Sequence, residues 1–474
     1  MSITIVGLGP GDPGDVTRAA WTALESASAI YLRTTEHPVV TKLPPGIPLH
    51  SFDHLYAEAE TFTEVYERIA AEIVRLGQRG DVLYAVPGHP LVGEATTLLV
   101  QEKAAAEGIP VCVVPGLSFI EPVLAAVDVD PLAAGLQITD AMLVATAYHP
   151  PLMADRPAIL GQLYNRTLAS DVKLTLLNLY PDDHPVTLVR RAGLDDQQVN
   201  TFPLYELDRR VQFDHLTSLY LPPIKGAASY NALQEIMAHL RAPDGCPWDR
   251  KQTHQSLRTN LLEETYEVLA ALDEDNVVKL REELGDLLMQ IAMHVQIATE
   301  EGSFKLPDVV GGIVTKLVRR HPHVFGSAQV EGVDDVWRNW EAIKRRERAE
   351  NGEERASLLD GVPQILPALT QAQAYTRRAA RVGYRGRELS LVEVAELLTT
   401  LQSGDEVRAA EACGRLLFLL ADMARQAGVD AETALREANA RFARAVAEVE
   451  ARATERGFAL TELPPEEQAT LWRG

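Results

Sequence analysis

The sequence predicts a multidomain chain with an α/β front half and an all-α rear half. Short β-branched runs alternate with helical stretches to about residue 222. Long segments rich in Ala, Leu, Glu and Arg follow from Ser229, and a Pro- and Gly-bearing segment separates the two textures. In the front half the runs are ITIVGLG, VLYAVPG, VCVVPG and KLTLLNLY, with helices expected near 17–29 and 93–107. That alternation reads as a mostly parallel sheet. The stretch Leu221-Pro222-Pro223-Ile224-Lys225-Gly226 suits neither element, because Pro has no N–H to give and neither Pro nor Gly favours continuing a helix or strand. The expected organisation is residues 1–222, a linker over 223–228, a helical copy over 229–350 and a second over 351–474.

The rear half opens with two helices expected over 255–273 and 277–299. The first has apolar Leu257, Leu261, Leu262, Val268, Leu269 and Leu272. The second has Leu280, Leu284, Leu287, Leu288, Ile291 and Val295, at the three-four spacing of an amphipathic helix. Glu264 with Glu267, and Glu283 with Asp286, lie three apart, so each pair shares a face and borders its stripe. If the helices form a hairpin, four carboxylates converge at the edge of a packed seam. Such a group repels itself unless cations neutralise it, which points to a hard-metal site of the Mg²⁺ kind and a polyphosphate substrate. Either acidic motif alone reads as well as a solvated helix face; the pairing favours the site. Lys279 and Gln290 share the face of Glu283 and Asp286. Lys316 with Arg320, and Trp340 with Lys344, repeat a four-residue spacing on two further helices.

Composition sets limits. The 474 residues exceed a single core, 46% apolar and 24% charged content is ordinary for a globular protein, and a net charge of −22 argues against a broad nucleic-acid polymer or anionic-membrane surface. Cys112, Cys246 and Cys413 have no zinc spacing, and the sequence holds no bilayer-length apolar run or basic leader, so a soluble cytoplasmic protein is expected.

GCPWD at 245–249, LLEETYE, ELGDLL and RRHPHVF together resemble the MazG family of nucleoside triphosphate pyrophosphohydrolases, in that family's order. The resemblance implies an all-α fold over roughly 229–474 and the reaction NTP + H₂O → NMP + PPi with Mg²⁺. It also implies metal ligation by Glu264, Glu267, Glu283 and Asp286. Lys279, Lys316, Arg320, Trp340 and Lys344 fall where the family contacts phosphate or nucleoside. Glu263 and an unliganded oxygen of Glu267 are both candidates for the proton acceptor, so five acids enter the catalytic set. Trp248 either stacks on a base or locks the GCPWD turn, and Trp340 is alternatively a core anchor. His321 and His323 flank Pro322 and suit a structural role.

The rear half reads as an internal duplication whose second copy has degenerated. Aligning Gly414 with Gly285 sets Ala412 opposite Glu283 and Arg415 opposite Asp286, and the segment Val394 to Thr400 keeps one of three acids. Without acids the copy holds no metal and supplies helices for packing.

Three loops punctuate the front half: Gly7-Leu8-Gly9-Pro10-Gly11, Val86-Pro87-Gly88-His89-Pro90 and Val114-Pro115-Gly116-Leu117-Ser118. Each ends a strand, so all three are expected to line one crevice at the carboxyl edge of the sheet. The triplet resembles the tetrapyrrole methylase family, which implies two α/β lobes and an S-adenosylmethionine site contacted by Gly9, Pro10, Gly88, His89, Leu117 and Ser118. The fusion of both halves is similar in layout to YabN-type proteins. The leading expectation is an NTP pyrophosphohydrolase for nucleotide-pool house-cleaning, acting as a homodimer and joined to a methyl-donor domain. The alternative is a methyltransferase or ligand sensor whose helical half serves assembly.

Overall fold

The computed structural model describes residues 1–209, 212–226, 228–350, 352, 357–384, 391–402 and 404–473. The chain divides by packing into two compact units, Met1–Val309 and Val310–Gly474. Within the first, strands β1 (Ile3–Gly7), β2 (Ile30–Leu32), β3 (Leu49–Ser51), β4 (Val82–Val86) and β5 (Val111–Val114) form a sheet ordered β3-β2-β4-β1-β5. All its pairings are parallel, as the alternating pattern predicts. Side chains alternate across it. Ile3, Ile5, Tyr84 and Val86 pack with Ile69 and Ile73 of the Phe62–Gly77 helix, while Val6, Leu83 and Ala85 pack with Leu24 of the Arg18–Glu25 helix. Burial of both faces is why the inner strands β1 and β4 are almost continuously apolar, whereas the edge strand β3, Leu49-His50-Ser51, is not.

A second sheet, β6 (Gln137–Asp140), β7 (Ala158–Gly161), β8 (Pro185–Arg190), β9 (Gln198–Pro203) and β10 (Thr217–Leu221), is ordered β6-β7-β10-β8-β9. Only β6 and β7 run parallel in it, so the mostly parallel expectation holds for the first lobe and not the second. KLTLLNLY is also not a strand. Its first residues complete the Arg166–Leu176 helix, capped by Asn165 Oδ1, which accepts from Leu168 N at 2.8 Å. Leu168, Ala169, Val172, Thr175 and Leu176 are buried at helical spacing, a period masked when the apolar run is read from Lys173 alone.

The fold class changes at 223–228, but packing does not stop there. Ile224 packs on the second lobe's core, and Ser229 Oγ donates to Asp155 at 2.6 Å while capping the Tyr230–Arg241 helix. Ala227 lies outside the described residues. The Arg258–Asp273 and Val277–Glu301 helices then form the expected hairpin. Asn276 Oδ1 accepts from Lys279 N at 3.1 Å to start the second helix. The core here is Met237, Leu257, Ala292, Met293 and Ile297. The seam differs from the expected leucine stripe. Leu262, Leu284, Leu288 and Ile291 are exposed, whereas Glu283 and Gln290 are buried. Spacing identifies residues that share a face, and burial of the polar face is what the alternation of classes alone cannot assign.

In the second unit, the Leu391–Leu401 and Glu406–Gln426 helices pair as a second hairpin, joined to Ala368–Arg381 and Ala431–Glu455. Buried Gln373 ties these together, donating to Ala421 O at 3.1 Å and Val429 O at 2.9 Å and accepting from Ala431 N at 3.2 Å. Ala412 is 2% exposed, so the position aligned with Glu283 is buried in both hairpins and apolar in the second.

Candidate functional site

Two helical turns make the acidic cluster. Glu264 and Glu267 project from one helix and Glu283 from its hairpin partner, and each offers a carboxylate oxygen within 4.8 Å of the others. Glu283 is buried, Glu264 half-buried and Glu267 exposed. Burial and then the charges of Asp286, Glu267 and Glu283 push the Glu264 carboxyl above the usual range. Burial and Glu267 push the Glu283 carboxyl up likewise, opposed by the Lys279 ammonium. Asp286 therefore stands in the field of both, although the closest group is the three glutamates. Lys279 Nζ lies 3.8 Å from Glu274, and Glu263 is exposed, outside the group of three.

The loop before this hairpin is fastened by a residue that sequence reading missed. Arg241 Nη1 donates to Asp249 O at 2.6 Å and Gln252 O at 3.1 Å, while its Nη2 pairs with Glu300 at 2.7 Å. Cys246 N donates to Leu240 O at 2.8 Å. These bonds hold the GCPWD turn, and Trp248 stands 61% exposed, which leaves its ring available for stacking. His254 Nδ1 lies 2.8 Å from His294 Nδ1, a contact for which no sequence spacing gave a signal.

The remaining rear residues cluster within the second unit. Arg320 Nη2 pairs with Glu347 at 2.6 Å and its guanidinium lies 5.8 Å from the Trp340 ring centroid. Lys344 Nζ lies 4.2 Å over the same ring. The Arg320 hydrogen bond, and then the charges of Arg320, Arg319 and Lys316, hold the Glu347 carboxyl below its ordinary range. Trp340 is thus half-buried between two cations and packs edge-on against Trp337, with ring centroids 5.3 Å apart. His321 Nδ1 lies 2.7 Å from Leu317 O, as suits a structural histidine at a helix end.

In the front half the three loops converge. Gly9 N donates to Gly88 O at 3.3 Å and Gly88 N to Gly9 O at 2.9 Å, with φ of 76° and 67° at the two residues. A Cβ at Gly7 would stand 2.5 Å from Gly88 O and 2.8 Å from Gly116 N, so the third loop meets the same point. Pro10 is buried and Leu117 partly exposed. His89 Nδ1 accepts from Leu91 N at 3.0 Å. Ser118 is buried, and its N–H and Oγ both donate to Glu121, at 2.7 and 2.6 Å. Burial, Asp12 and Glu121 raise the carboxyl of Asp15, an acid beside this crevice that the loop pattern did not flag.

Among the described residues no helix is long and apolar enough to cross a membrane. The tetrapyrrole (corrin/porphyrin) methylase family matches residues 2–208, and the MazG nucleotide pyrophosphohydrolase domain matches residues 252–325. The second match takes in the acidic cluster, Lys316 and Arg320 and ends before Trp340. The chain is 39% identical to the uncharacterized protein YabN of Bacillus subtilis (strain 168), over 99% of this chain and 97% of that one. It is 40% identical to a nucleoside triphosphate pyrophosphohydrolase of Escherichia coli (strain K12), over 51% of this chain and 94% of that one. Similarity to the nucleoside triphosphate pyrophosphohydrolase/pyrophosphatase MazG of Thermotoga maritima is 38% over 51% of this chain and 94% of that one. Near-complete coverage of one relative and the two successive family matches agree on a single architecture: the chain belongs to the YabN-type family, a tetrapyrrole methylase domain fused to a MazG nucleotide pyrophosphohydrolase domain.

Proposed function

We propose that the helical part hydrolyses nucleoside triphosphates to the monophosphate and pyrophosphate with Mg²⁺, in the role of nucleotide-pool house-cleaning. The observation that carries this reading is the convergence of Glu264, Glu267 and Glu283 oxygens within 4.8 Å. An all-oxygen donor set with mutually raised carboxyls fits a hard divalent cation. Glu264, Glu267, Glu283 and Asp286 would hold it. When bound, the ion supplies charge neutralisation and polarisation of phosphoryl oxygens. The chain's own groups do the rest. Glu263 or the free oxygen of Glu267 accepts the proton of the attacking water, and Lys279, Lys316, Arg320 and Lys344 offset phosphate charge. Trp340 and Trp248 offer aromatic faces to the nucleoside. The functional boundaries in this reading are 1–222, 229–350 and 351–474, with the last copy inactive.

Pyrophosphate release from a panel of NTPs and dNTPs, with Mg²⁺ or EDTA, is the deciding assay. Mg²⁺-dependent release by the wild type that fails in Glu267→Gln is expected, and equal turnover in EDTA would refute the assignment. A second readout is thermal. The raised Glu264 and Glu283 carboxyls favour the folded state below the ordinary Glu range, and that contribution is lost as the pH rises through their folded-state values. Added Mg²⁺ should therefore raise the melting temperature more at pH 7.5 than at pH 5. At a hundredfold excess over Kd the gain is about 2.7 kcal/mol. Calorimetry at both pH values checks this.

The exposed Leu284, Leu288 and Ile291 favour a homodimer in which a second hairpin covers them. Sedimentation of Leu284→Glu/Leu288→Glu should report monomer where the wild type reports dimer. The front crevice favours S-adenosylmethionine as ligand, held by Gly9, Pro10, Gly88, His89, Leu117 and Ser118. It sustains a second reading, in which the protein is a methyltransferase or methyl-donor sensor with the helices used for assembly. Three unpaired cysteines suit a cytoplasmic setting.

A further inference from the structure

In the second unit, a cleft of about 980 Å³ opens between the Val333–Glu350 and Ala368–Arg381 helices. Arg338, Lys344, Arg345, Arg348, Arg378 and Arg381 line it, against the carboxylates of Asp334 and Glu341. In a chain of net charge −22, six cations turned toward one cavity are a local inversion of sign. A solvated helix face does not explain it, because the arginines of two helices confront each other across the gap. Some of them are already engaged. Arg378 donates to Asp360 O at 2.6 Å and Gly361 O at 3.1 Å, and Arg338 pairs with Asp335. Glu341 stands between Arg381 at 3.4 Å and Lys344 at 3.8 Å, so one carboxylate faces two cations at long range. Arg348 Nε donates to Lys344 O at 2.8 Å, which fixes its stem and leaves its two terminal nitrogens for other acceptors. Among the described residues no ion pair is made by Arg345 or Arg348. Trp337 lines the cleft at 48% exposure, with the Arg381 guanidinium 5.5 Å from its ring centroid.

This face is separate from the one around Trp340. Trp337, Glu341, Arg345 and Arg348 follow one helical stripe, and Trp340, Lys344 and Glu347 follow the next, with Lys344 on the border. We propose that the cleft is a second anion site that takes a diphosphate group, with its oxygens on Arg345 and Arg348 and any attached nucleoside against Trp337. Guanidinium forks match phosphate oxygens bidentately, and the volume suits a nucleotide. Unlike the acidic cluster, this site needs no metal, and that separates its test from the hydrolase reading.

Binding of inorganic pyrophosphate and of ADP is measured by calorimetry on the full chain in EDTA at physiological salt. Wild type and Glu264→Gln should bind alike. Arg345→Ala/Arg348→Ala should lose about 30-fold or more in affinity, the loss of two charge-assisted contacts. Should the double variant fail to fold, Arg345→Lys, which keeps the charge but not the fork, should weaken binding several-fold. Tighter binding of ADP than of pyrophosphate, the expected order, assigns the ligand as a nucleotide; equal binding assigns it as free pyrophosphate. No metal-free binding of either by the wild type, or undiminished binding by the folded arginine variants, overturns the site.

Discussion

Glu264→Gln is expected to lower Mg²⁺-dependent turnover by on the order of 10²-fold or more, and to raise the melting temperature of the metal-free protein. The two effects have one cause. Removing this charge relieves the burial of a carboxylate and its repulsion by Asp286, Glu267 and Glu283, the two causes that raise the Glu264 carboxyl, so the empty hairpin gains stability. The same change deletes an anionic ligand. Metal stabilisation of a phosphoryl transition state is worth several kcal/mol, and about 1.4 kcal/mol is tenfold in rate. Steady-state kinetics beside melting in EDTA tests both halves. A variant that loses turnover yet melts lower without metal would mean that Glu264 is a packing residue.

Gly116→Ala should disable the front crevice without touching hydrolysis. A Cβ there would lie 2.6 Å from Gly88 O and 3.0 Å from the Gly7 backbone. These are main-chain atoms on three interlocked loops and cannot rotate aside. Overpacking of this kind costs about 1–3 kcal/mol. The loops would spread, and S-adenosylmethionine affinity should fall at least tenfold, since about 1.4 kcal/mol is a factor of ten. Gly80→Ala is the control, since nothing lies within 4 Å of its Cβ position. Retained affinity in Gly116→Ala would remove the crevice from consideration as the methyl-donor site.

The parts of this molecule that were legible in advance are those written locally. Glu264 and Glu267 lie one helical turn apart, as do Glu283 and Asp286, so spacing alone set each pair on one face. The three glycine loops each end a strand of one sheet, and strand adjacency brought them together. Other features depend on partners distant in sequence. Arg241 meets Glu300 across 59 positions, and His254 meets His294 across 40, with no periodicity to mark either. The hairpin face was misread for a different reason. Leu284, Leu288 and Ile291 form a proper stripe, but a stripe states only that its members are neighbours. Which face turns inward is decided by what packs against it, and here the polar side carrying Glu283 and Gln290 turned in. The KLTLLNLY strand failed because its helical cap, Asn165, stands eight residues upstream.

Arg241 also gives the hairpin a mechanical property. Its guanidinium joins the backbone of the Trp248 loop to Glu300, seventeen residues beyond Glu283 on one continuous helix. At about 1.5 Å per residue Glu283 and Glu300 are about 25 Å apart on a single rod. The core residues Ala292, Met293 and Ile297 lie toward the Glu300 end of the rod, so that end and the Trp248 loop fastened to it are held as one packed piece. The loop that carries Trp248 is thus moored to the same helix that carries Glu283, at a point remote from the acids.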